Sequence, residues 1–481
     1  MIRLFIVLLL SVVSAGCYQS SGNRWEGRDI HVDSGETEPD VLHDQHQEEA
    51  RPDIQNDPRP DGPVCGNGII EAGEDCEGSD LGGVTCESLG MPGDGLACDA
   101  DCLLDISGCG ICGNGACEDS EDQFGCPSDC GAVAVSAGWA HTCAVLSDGT
   151  VLCWGNNGSG ELGTGGHGPG LIPTAVEGMT DAAAVSAGGG SHTCAVLSDG
   201  TAMCWGNNVY GQLGDGTNIN SSVPVAVSGM TGAVALSAGG THTCSLLSDG
   251  RAMCWGYNEH GELGNGSVPV SSFVPVVVSG LTDAVSLSAG WAHTCAVLSD
   301  GTARCWGNNV SYQLGDGTMV DREIPVAVSG LAGAVAVTAG RNHTCALLSD
   351  GTAMCWGANG AGELGDGTTT DRSVPAAVSG LSDAVAISTG IDDTCAVLSD
   401  ETARCWGDNT KGQLGDGTNT SSPLPVAVSG LPGVASVSAG ESHTCAVLSD
   451  GTAMCWGNNG SGQLGTGTHG GSNVPVQVAA W

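Results

Sequence analysis

Histidine recurs about every 50 residues along most of this chain, and its imidazole is the first group whose spacing could support chemistry. An imidazole nitrogen binds a metal ion only from about 2 Å away, so residues carried by separate repeat units could not share one ion. We therefore predict structural hydrogen bonds at these positions, with no metal site and no cofactor. The series comprises His141, His192, His242, His293, His343 and His443, with Asp393 in the sixth place.

A small group of acidic residues offers the best hint of catalysis. Asp392, Asp393 and Glu441 fall in neighbouring repeat units, and two nearby carboxyl groups can act as acid and base on a glycan. The chain has no Gly-x-Ser-x-Gly, no His-Glu-x-x-His and no phosphate-binding loop. An acidic chain brings such neighbours together by chance. We therefore favour a protein that is not an enzyme, with a glycan-active hydrolase or lyase as an alternative.

Cysteine is abundant, and most of the 25 residues are regularly spaced. If Ser147-Asp148-Gly149 is a three-residue hairpin loop, Cys143 faces Cys153 with Cα atoms about 4.5–5.5 Å apart, within disulfide reach. We predict one such bridge per repeat unit, each contributing about 2–3 kcal/mol. The predicted pairs are Cys143 and Cys153, Cys194 and Cys204, Cys244 and Cys254, Cys295 and Cys305, Cys345 and Cys355, Cys395 and Cys405, and Cys445 and Cys455.

The elements that position these residues repeat seven times over residues 131–481. Each unit reads as four short strands, which in the second unit are 184–187, 192–197, 201–205 and 223–227. Radially repeated four-stranded units at this period predict an all-β fold, a seven-bladed β-propeller. We expect the repeated tryptophans to pack inside the blades. The tryptophan of a Cys-Trp-Gly motif stands at Trp154, Trp205, Trp255, Trp306, Trp356, Trp406 and Trp456.

The motifs of each unit resemble the repeats of the regulator-of-chromosome-condensation family. They are His-Thr-Cys-Ala-Val-Leu-Ser-Asp-Gly, Cys-Trp-Gly-x-Asn and Gly-Gln/Glu-Leu-Gly-x-Gly, and the resemblance covers residues 131–481. It implies a seven-bladed propeller. The family includes a eukaryotic nucleotide exchange factor for a small GTPase and a secreted bacterial inhibitor of β-lactamases. For an exported chain the resemblance implies only that the ring can bind other proteins. The paired cysteines are a departure that this sequence adds.

Loops that break the repeat are the expected carriers of binding. Strands of a blade alternate in direction, so the connections between first and second strands and between third and fourth strands share one face of the ring. On this face the units differ, and varied loops on a rigid scaffold are free to bind a ligand, with Trp, Tyr and Arg as usual anchors. The candidate residues are Trp139, Trp291, Arg341, Asn342, Asp392 and Glu441 in the inner loops, and Tyr210, His260 and Tyr312 in the outer loops.

The N-terminal part of the chain predicts export and anchoring. Residues 1–16 have one basic residue, an apolar run and a small-residue end, which is typical of a signal peptide. Ala15-Gly16-Cys17 resembles a bacterial lipobox, which implies lipidation of Cys17; ordinary cleavage that leaves a free thiol is the alternative. Without Cys17 the remaining 24 cysteines can all pair. We therefore expect an exported protein, lipid-anchored to a bacterial cell envelope at the outer membrane or cell surface.

Two further segments precede the repeats. Residues 17–64 are acidic and poor in aliphatic residues, which predicts a solvated linker. Residues 65–130 hold ten cysteines and resemble the cysteine-rich repeats of bacterial surface lipoproteins, so disulfides are expected to constrain them. Spacings such as that of Cys98 and Cys102 keep zinc open as an alternative.

The charge of the chain limits its partners. Twelve basic and 54 acidic residues give a formal net charge of −42, which repels phosphate backbones and argues against a nucleic-acid partner. We expect a monomer that contacts the membrane through its N-terminal lipid only. Its predicted role is a surface-anchored binding module whose propeller face engages an extracellular protein or glycan; inhibition of an extracellular enzyme is an alternative.

Overall fold

The fold described here is that of a computed structural model. It describes residues 131–266 and 270–479, together with residue 81 and the strands Gly95–Cys98 and Leu104–Gly108, which pair in a two-stranded sheet. The predicted signal peptide, Cys17, the linker and most of the cysteine-rich segment lie outside these residues. Every regular element that is described is a β-strand, and no described helix is long and apolar enough to cross a membrane.

Residues 131–479 form seven four-stranded antiparallel sheets, and each sheet is built from one contiguous repeat. We number these blades 1 to 7 along the chain. The first strands are Ala132–Ala137, Ala182–Ala187, Ala233–Ala238, Ala284–Ala289, Ala334–Ala339, Ala384–Thr389 and Val434–Ala439. The second strands are His141–Leu146, His192–Leu197, His242–Leu247, His293–Leu298, His343–Leu348, Asp393–Leu398 and His443–Leu448.

The outer half of each blade is made by its third and fourth strands. The third strands are Val151–Gly155, Ala202–Gly206, Ala252–Tyr257, Ala303–Gly307, Ala353–Gly357, Ala403–Gly407 and Ala453–Gly457. The fourth strands are Gly170–Ala175, Ser221–Ala226, Ser271–Val277, Arg322–Ala327, Arg372–Ala377, Ser422–Ala427 and Ser472–Gln477. This is the predicted seven-bladed propeller, and the bounds in blade 2 agree with those predicted to within two residues.

The hydrophobic core lies between the blades. Each cluster of buried apolar side chains takes residues from two neighbouring blades, such as Ala134 and Val145 of blade 1 with Ala195 and Trp205 of blade 2. A second strand is therefore covered on both faces, which explains why it is almost wholly buried and reads as a run of small apolar residues rather than an alternating pattern. The seven motif tryptophans are all fully buried, as predicted.

The predicted hairpins and disulfides are present in all seven blades. In blade 1 the Leu146 N–H donates to the Thr150 carbonyl (2.9 Å), which closes the three-residue loop and places Cys143 opposite Cys153. The Cα atoms of each bonded pair are 4.0–4.1 Å apart, slightly closer than expected. All fourteen cysteines are fully buried, so each bridge also forms part of the core between blades.

The recurrent histidines join six of the seven blades to the next one through hydrogen bonds, which is the structural role predicted for them. The Nε2 atom of His141 lies 2.9 Å from Thr193 Oγ1, and that hydroxyl donates to the Glu161 carbonyl (2.9 Å). Because the only hydrogen of the threonine hydroxyl is used in this way, the histidine must donate through Nε2–H. The indole N–H of Trp205 donates to the same carbonyl (2.8 Å). The equivalent distance from histidine Nε2 to threonine Oγ1 is 2.8–3.0 Å for His192, His242, His293, His343 and His443.

The same contacts close the ring between blade 7 and blade 1. His443 Nε2 lies 2.8 Å from Thr142 Oγ1, and the Ala137 N–H donates to Ser438 Oγ (3.0 Å). A serine or threonine of every first strand accepts such a bond from the next first strand, at 2.9–3.1 Å. No strand is exchanged between the first and last blades, because each sheet is complete within its own repeat.

Candidate binding face

The inner loops between first and second strands line the mouth of the central channel on the varied face. Each begins with a glycine packed against the next loop: a Cβ atom on Gly340 would lie 2.5 Å from the Gly390 carbonyl oxygen, and one on Gly390 would lie 2.3 Å from that of Gly440. This packing excludes a side chain at the first loop position. It leaves the following residues of each loop to form the surface of the mouth.

Two tryptophans from blades 1 and 4 meet across this mouth. The ring centroids of Trp139 and Trp291 are 5.5 Å apart at 71°, an edge-to-face contact. The contact is possible because the intervening loops carry glycine: a Cβ atom on Gly240 would lie 3.0 Å from Cδ2 of Trp291, and one on Gly189 would lie 3.4 Å from Cε3. Trp139 remains 39% exposed, which leaves part of its ring available to a ligand.

Arg341 of blade 5 extends this aromatic pair. Its guanidinium carbon lies 5.7 Å from the centroid of the Trp291 ring, within the range of a cation–π interaction. Trp139, Trp291 and Arg341 were predicted separately from three loops, and the structure brings them together as one cluster. Asn342, next in the chain, is half-buried, and its backbone carbonyl accepts a hydrogen bond from the Ala358 N–H (2.9 Å).

Two predicted acidic residues face this cluster from blades 6 and 7. Asp392 and Glu441 are both half-buried. Burial raises the pKa of the Asp392 carboxyl, and the Arg341 charge partly opposes that rise. Burial likewise raises the pKa of Glu441, with Arg341 lowering it and Asp392 adding to the rise. Arg341 is thus electrostatically coupled to both carboxyl groups, but it forms no ion pair within 4.0 Å in the described part of the chain.

Asp393 is not part of the mouth surface, which corrects its grouping with Asp392 and Glu441. It is 0% exposed and lies in the interface between blades 6 and 7, where the other blades have histidine. Neither carboxyl oxygen has a hydrogen-bond partner among the described residues. Burial raises its pKa well above the ordinary value, and the charges of Asp408, Asp392 and Glu363 raise it further.

The outer-loop candidates form separate local contacts. Tyr210 packs against Tyr257 of the next blade with ring centroids 4.7 Å apart and the rings tilted by 57°, and His260 Nδ1 lies 2.8 Å from Asp321 Oδ2. Tyr257 also breaks the repeat in an outer loop, as the sequence shows. Asp321 was not among the predicted site residues, and its position is one at which the blades differ.

Tyr312 occupies a position that is glycine in the six other blades. Its φ of 65° lies in the left-handed region, as do the φ angles of those glycines, which reach 90°. A tyrosine in this region is uncommon and costs backbone strain, of a kind that often accompanies function. The strain marks Tyr312 as a second candidate position, away from the aromatic cluster.

No group of three His, Cys, Asp or Glu within residues 131–266 and 270–479 is arranged to hold an ion. Four blades carry a Gly-Asp-Gly-Thr segment, with its aspartate at Asp215, Asp316, Asp366 and Asp416, and these aspartates cap their own turns. The Asp316 carboxylate accepts hydrogen bonds from the Thr318 N–H and hydroxyl and pairs with Arg322 at 2.7 Å.

Comparison with known families identifies the repeat. One family profile, described as the regulator of chromosome condensation (RCC1) repeat, matches residues 132–161, 182–212, 233–262, 284–313, 334–363, 384–413 and 434–463. A second profile with the same description matches residues 148–196, 199–246, 249–297, 300–347, 350–397, 405–447 and 450–480.

Curated relatives share part of this region. The ultraviolet-B receptor UVR8 of Arabidopsis thaliana is 31% identical over 192 residues, which are 39% of this chain and 44% of the receptor. The mitochondrial RCC1 domain-containing protein RUG3 of Arabidopsis thaliana is 30% identical over 197 residues, which are 39% of this chain and 44% of that protein. The matches therefore cover less than half the length of these relatives.

Solved structures share the fold. Human WBSCR16 superposes with a TM-score of 0.62 at 21% identity, covering 69% of this chain and 94% of that chain. Yeast RCC1 (Prp20), in its complex with Kap60, gives a TM-score of 0.61 at 23% identity, covering 68% of this chain and 83% of that chain. At this level of identity the likeness extends to the fold alone.

Proposed function

Because the chain belongs to the regulator of chromosome condensation (RCC1) repeat family, we propose that its propeller is a binding module rather than an enzyme. The observation that carries the proposal is the cluster of Trp139, Trp291 and Arg341 at the mouth of the varied face. Trp and Arg are the side chains that most often dominate binding energy, especially when packed together near the centre of a surface. We propose an extracellular macromolecule as the ligand, with the chain held at the cell envelope through a lipid on Cys17.

The contrast between the two faces supports this placement. On the opposite face the Ser-Asp-Gly turns repeat, and their aspartates are used internally: Asp350 Oδ1 accepts hydrogen bonds from the N–H and hydroxyl of Thr352. On the varied face all the inner loops share their packed glycine, and the residues that follow it vary among the blades, although blades 1 and 4 both have Trp-Ala. A rigid ring that presents different side chains at equivalent positions is suited to recognising one asymmetric partner.

Affinity capture from an extract of cell-envelope proteins tests the proposal. The intact protein should retain a partner that a variant with Trp139→Ala, Trp291→Ala and Arg341→Ala loses at least tenfold, because truncating such anchors typically costs more than about 2 kcal/mol each. The matched control carries Arg251→Thr and Glu401→Gly, which restore the repeat residues on the opposite face. Equal capture by the triple variant and the intact protein would rule out this face.

Assays of the captured partner and of the purified protein distinguish the two alternative functions, enzyme inhibition and glycan turnover. If the captured partner is an enzyme that loses activity in a one-to-one complex, the module is an inhibitor. If the purified protein turns over a glycan and Asp392→Asn or Glu441→Gln abolishes that turnover, the binding-only proposal is wrong.

A further inference from the structure

The outer loops of blades 2 and 3 place two tyrosines where the other blades have small or polar residues. The rings of Tyr210 and Tyr257 have centroids 4.7 Å apart and are tilted by 57°, and Tyr210 is 40% exposed. The pair forms a partly exposed aromatic surface at the boundary of the two blades. The residues equivalent to Tyr257 are Asn156, Asn207, Asn308, Ala358, Asp408 and Asn458, and those equivalent to Tyr210 are Ser159, His260, Ser311, Ala361, Lys411 and Ser461.

A repeated glutamine or glutamate lies beneath the tip of each of these two loops. The Tyr210 N–H donates to Gln212 Oε1 (2.9 Å), and the His260 N–H donates to Glu262 Oε2 (2.9 Å). Both side chains are 0% exposed, and the second polar atom of each has no hydrogen-bond partner among the described residues. These atoms are Gln212 Nε2, a donor, and Glu262 Oε1, an acceptor. At the five equivalent positions, all of them described, no fully buried side-chain atom is left unpartnered.

The tyrosine of blade 3 explains the unpartnered carboxylate oxygen. In blade 1 the Asn156 amide donates to Glu161 Oε1, the atom equivalent to Glu262 Oε1. Tyr257 stands in the place of that asparagine, and its hydroxyl donates to the exposed Glu259 instead. Leaving a buried polar atom unpartnered costs stability, so the replacement of asparagine by tyrosine is unfavourable for the fold taken alone.

The Gln212 amide lacks an acceptor at the same boundary. In blade 4 the equivalent Gln313 Nε2 donates to Asn308 Oδ1 (2.7 Å), whereas in blade 2 the corresponding Asn207 turns its own amide to the Gly190 carbonyl (3.3 Å). The Gln212 carbonyl accepts from the indole N–H of Trp255 (2.9 Å), two residues before Tyr257. Gln212 therefore lies between the two loops that carry the tyrosines.

This combination of groups suits a ligand that has an apolar face and several hydroxyl groups. A hydroxyl group both donates and accepts hydrogen bonds, so hydroxyls can satisfy an amide donor and a carboxylate acceptor alike. Aromatic rings supply the apolar surface, and ligand sites commonly combine such a surface with a few fixed polar groups. A pyranose ring has both features. The formal net charge of −42 repels acidic sugars, which favours a neutral glycan.

We propose that the outer loops of blades 2 and 3 bind a neutral glycan. A pyranose ring stacks on Tyr210 and Tyr257, and hydroxyl groups of the glycan bond to Gln212 Nε2 and Glu262 Oε1. Because both atoms are buried in the unliganded structure, the exposed loop tips move outward to admit these hydroxyls. The site adds a ligand class to the proposed binding function, and it does not depend on the tryptophan–arginine cluster at the mouth.

The test titrates the full chain with cellotetraose, maltotetraose and N-acetylchitotetraose and follows binding by saturation-transfer difference NMR. At least one of the three should bind saturably. Cyclohexanol, which has an apolar ring but a single hydroxyl, should bind at least about tenfold more weakly. Tyr210→Ser with Tyr257→Asn introduces the residues of blade 7 and should weaken sugar binding by about tenfold or more, because the stacking surface is lost. Tyr210→Phe keeps the ring and should bind within about twofold of the native chain.

Two exchanges within the repeat test the buried polar atoms. Gln212→Glu introduces the residue of blades 1, 3 and 5 and replaces the donor by an acceptor, while Glu262→Gln makes the reverse change with the residue of blades 2, 4, 6 and 7. Each should preserve the fold and weaken sugar binding about fivefold or more, since one hydrogen bond is lost. Gln463→Glu makes the same exchange in blade 7, away from the tyrosines, and should leave binding unchanged.

Several outcomes would overturn the inference. Failure of all three tetrasaccharides to bind would remove the glycan, and binding of decaproline in their place would make the surface a peptide site. Unchanged sugar binding in the tyrosine double variant would place the sugar elsewhere, and equal binding of cyclohexanol would mean that stacking acts alone. The variant with Trp139→Ala, Trp291→Ala and Arg341→Ala should bind sugar as the native chain does. If that variant loses its captured partner while no sugar binds the native chain, the proposed function survives and the glycan site is wrong.

Discussion

Single residues decide how neighbouring blades are joined. Six buried histidines donate through Nε2–H, and burial lowers their pKa to about 4 for His141, His242 and His343 and to about 3 for His192, His293 and His443. The one departure is an aspartate, whose pKa moves in the opposite direction for the same reason, the cost of burying a charge. Burial thus favours the neutral form of the residue at all seven positions.

These histidines predict that acid destabilises the propeller. Their folded-state pKa values lie below the unfolded value of about 6.5, so below that pH the unfolded chain takes up protons that the folded chain does not. The free energy of unfolding should fall as pH falls from about 6.5 towards 3–4, by about 1.6 kcal/mol per histidine between pH 6.5 and 5. Urea unfolding at pH 7.5, 6 and 5 measures this slope.

Replacing one histidine isolates the effect from that of the carboxyl groups. Glutamine at position 343 keeps an N–H donor but does not titrate, so His343→Gln should unfold with a shallower dependence on pH than the native chain. An identical slope in the two proteins would mean that the buried histidines do not control acid stability.

The residues of the mouth show what could and could not be predicted from the sequence. Trp139, Trp291 and Arg341 were identified because each breaks a repeat, but their mutual contact depends on the glycine-only loops of two intervening blades. Asp393 was assigned both to the histidine series and to an acidic mouth, and the structure retains only the first. Which way a loop residue points depends on packing between blades, and spacing along one chain does not specify that.

Among the structural elements, the hairpin between the second and third strands was predicted most completely from the sequence. The three-residue turn fixes the register, and the register places the cysteines opposite each other in every blade. The fourth strands are less regular, because their pairing with the third strands is interrupted by a register shift. Each contains a proline, which cannot donate to a further strand and so protects the outer edge from pairing.

Removal of one disulfide should cost measurable stability without changing the fold. Cys345→Ala with Cys355→Ala opens one short loop, and the free energy of unfolding should drop by about 2–3 kcal/mol. Chemical denaturation without reductant measures the difference, with the native chain in the presence of reductant as the comparison. If the double variant and the native chain had the same free energy of unfolding, the bridge would contribute nothing to stability.

At the scale of the whole molecule, the ring is closed by repetition of a single interface. Blades 7 and 1 meet through the same hydrogen bonds and the same kind of core cluster as the other pairs, without a shared sheet. Every blade has its own disulfide, and six of the seven interfaces share the same histidine–threonine hydrogen bond, so the scaffold holds its loops rigidly. The varied face can then differ from blade to blade at little cost to the fold, which is the property on which the proposed binding function depends.

Hydrogen–deuterium exchange of the propeller, measured without and with its captured partner, locates the binding face. Binding through the mouth should slow exchange in the inner loops at 138–140, 290–292, 340–342, 390–392 and 440–442. Exchange in the Ser-Asp-Gly turns of the opposite face should stay the same. Slower exchange confined to those turns or to the outer strands, with the inner loops unaffected, would contradict it.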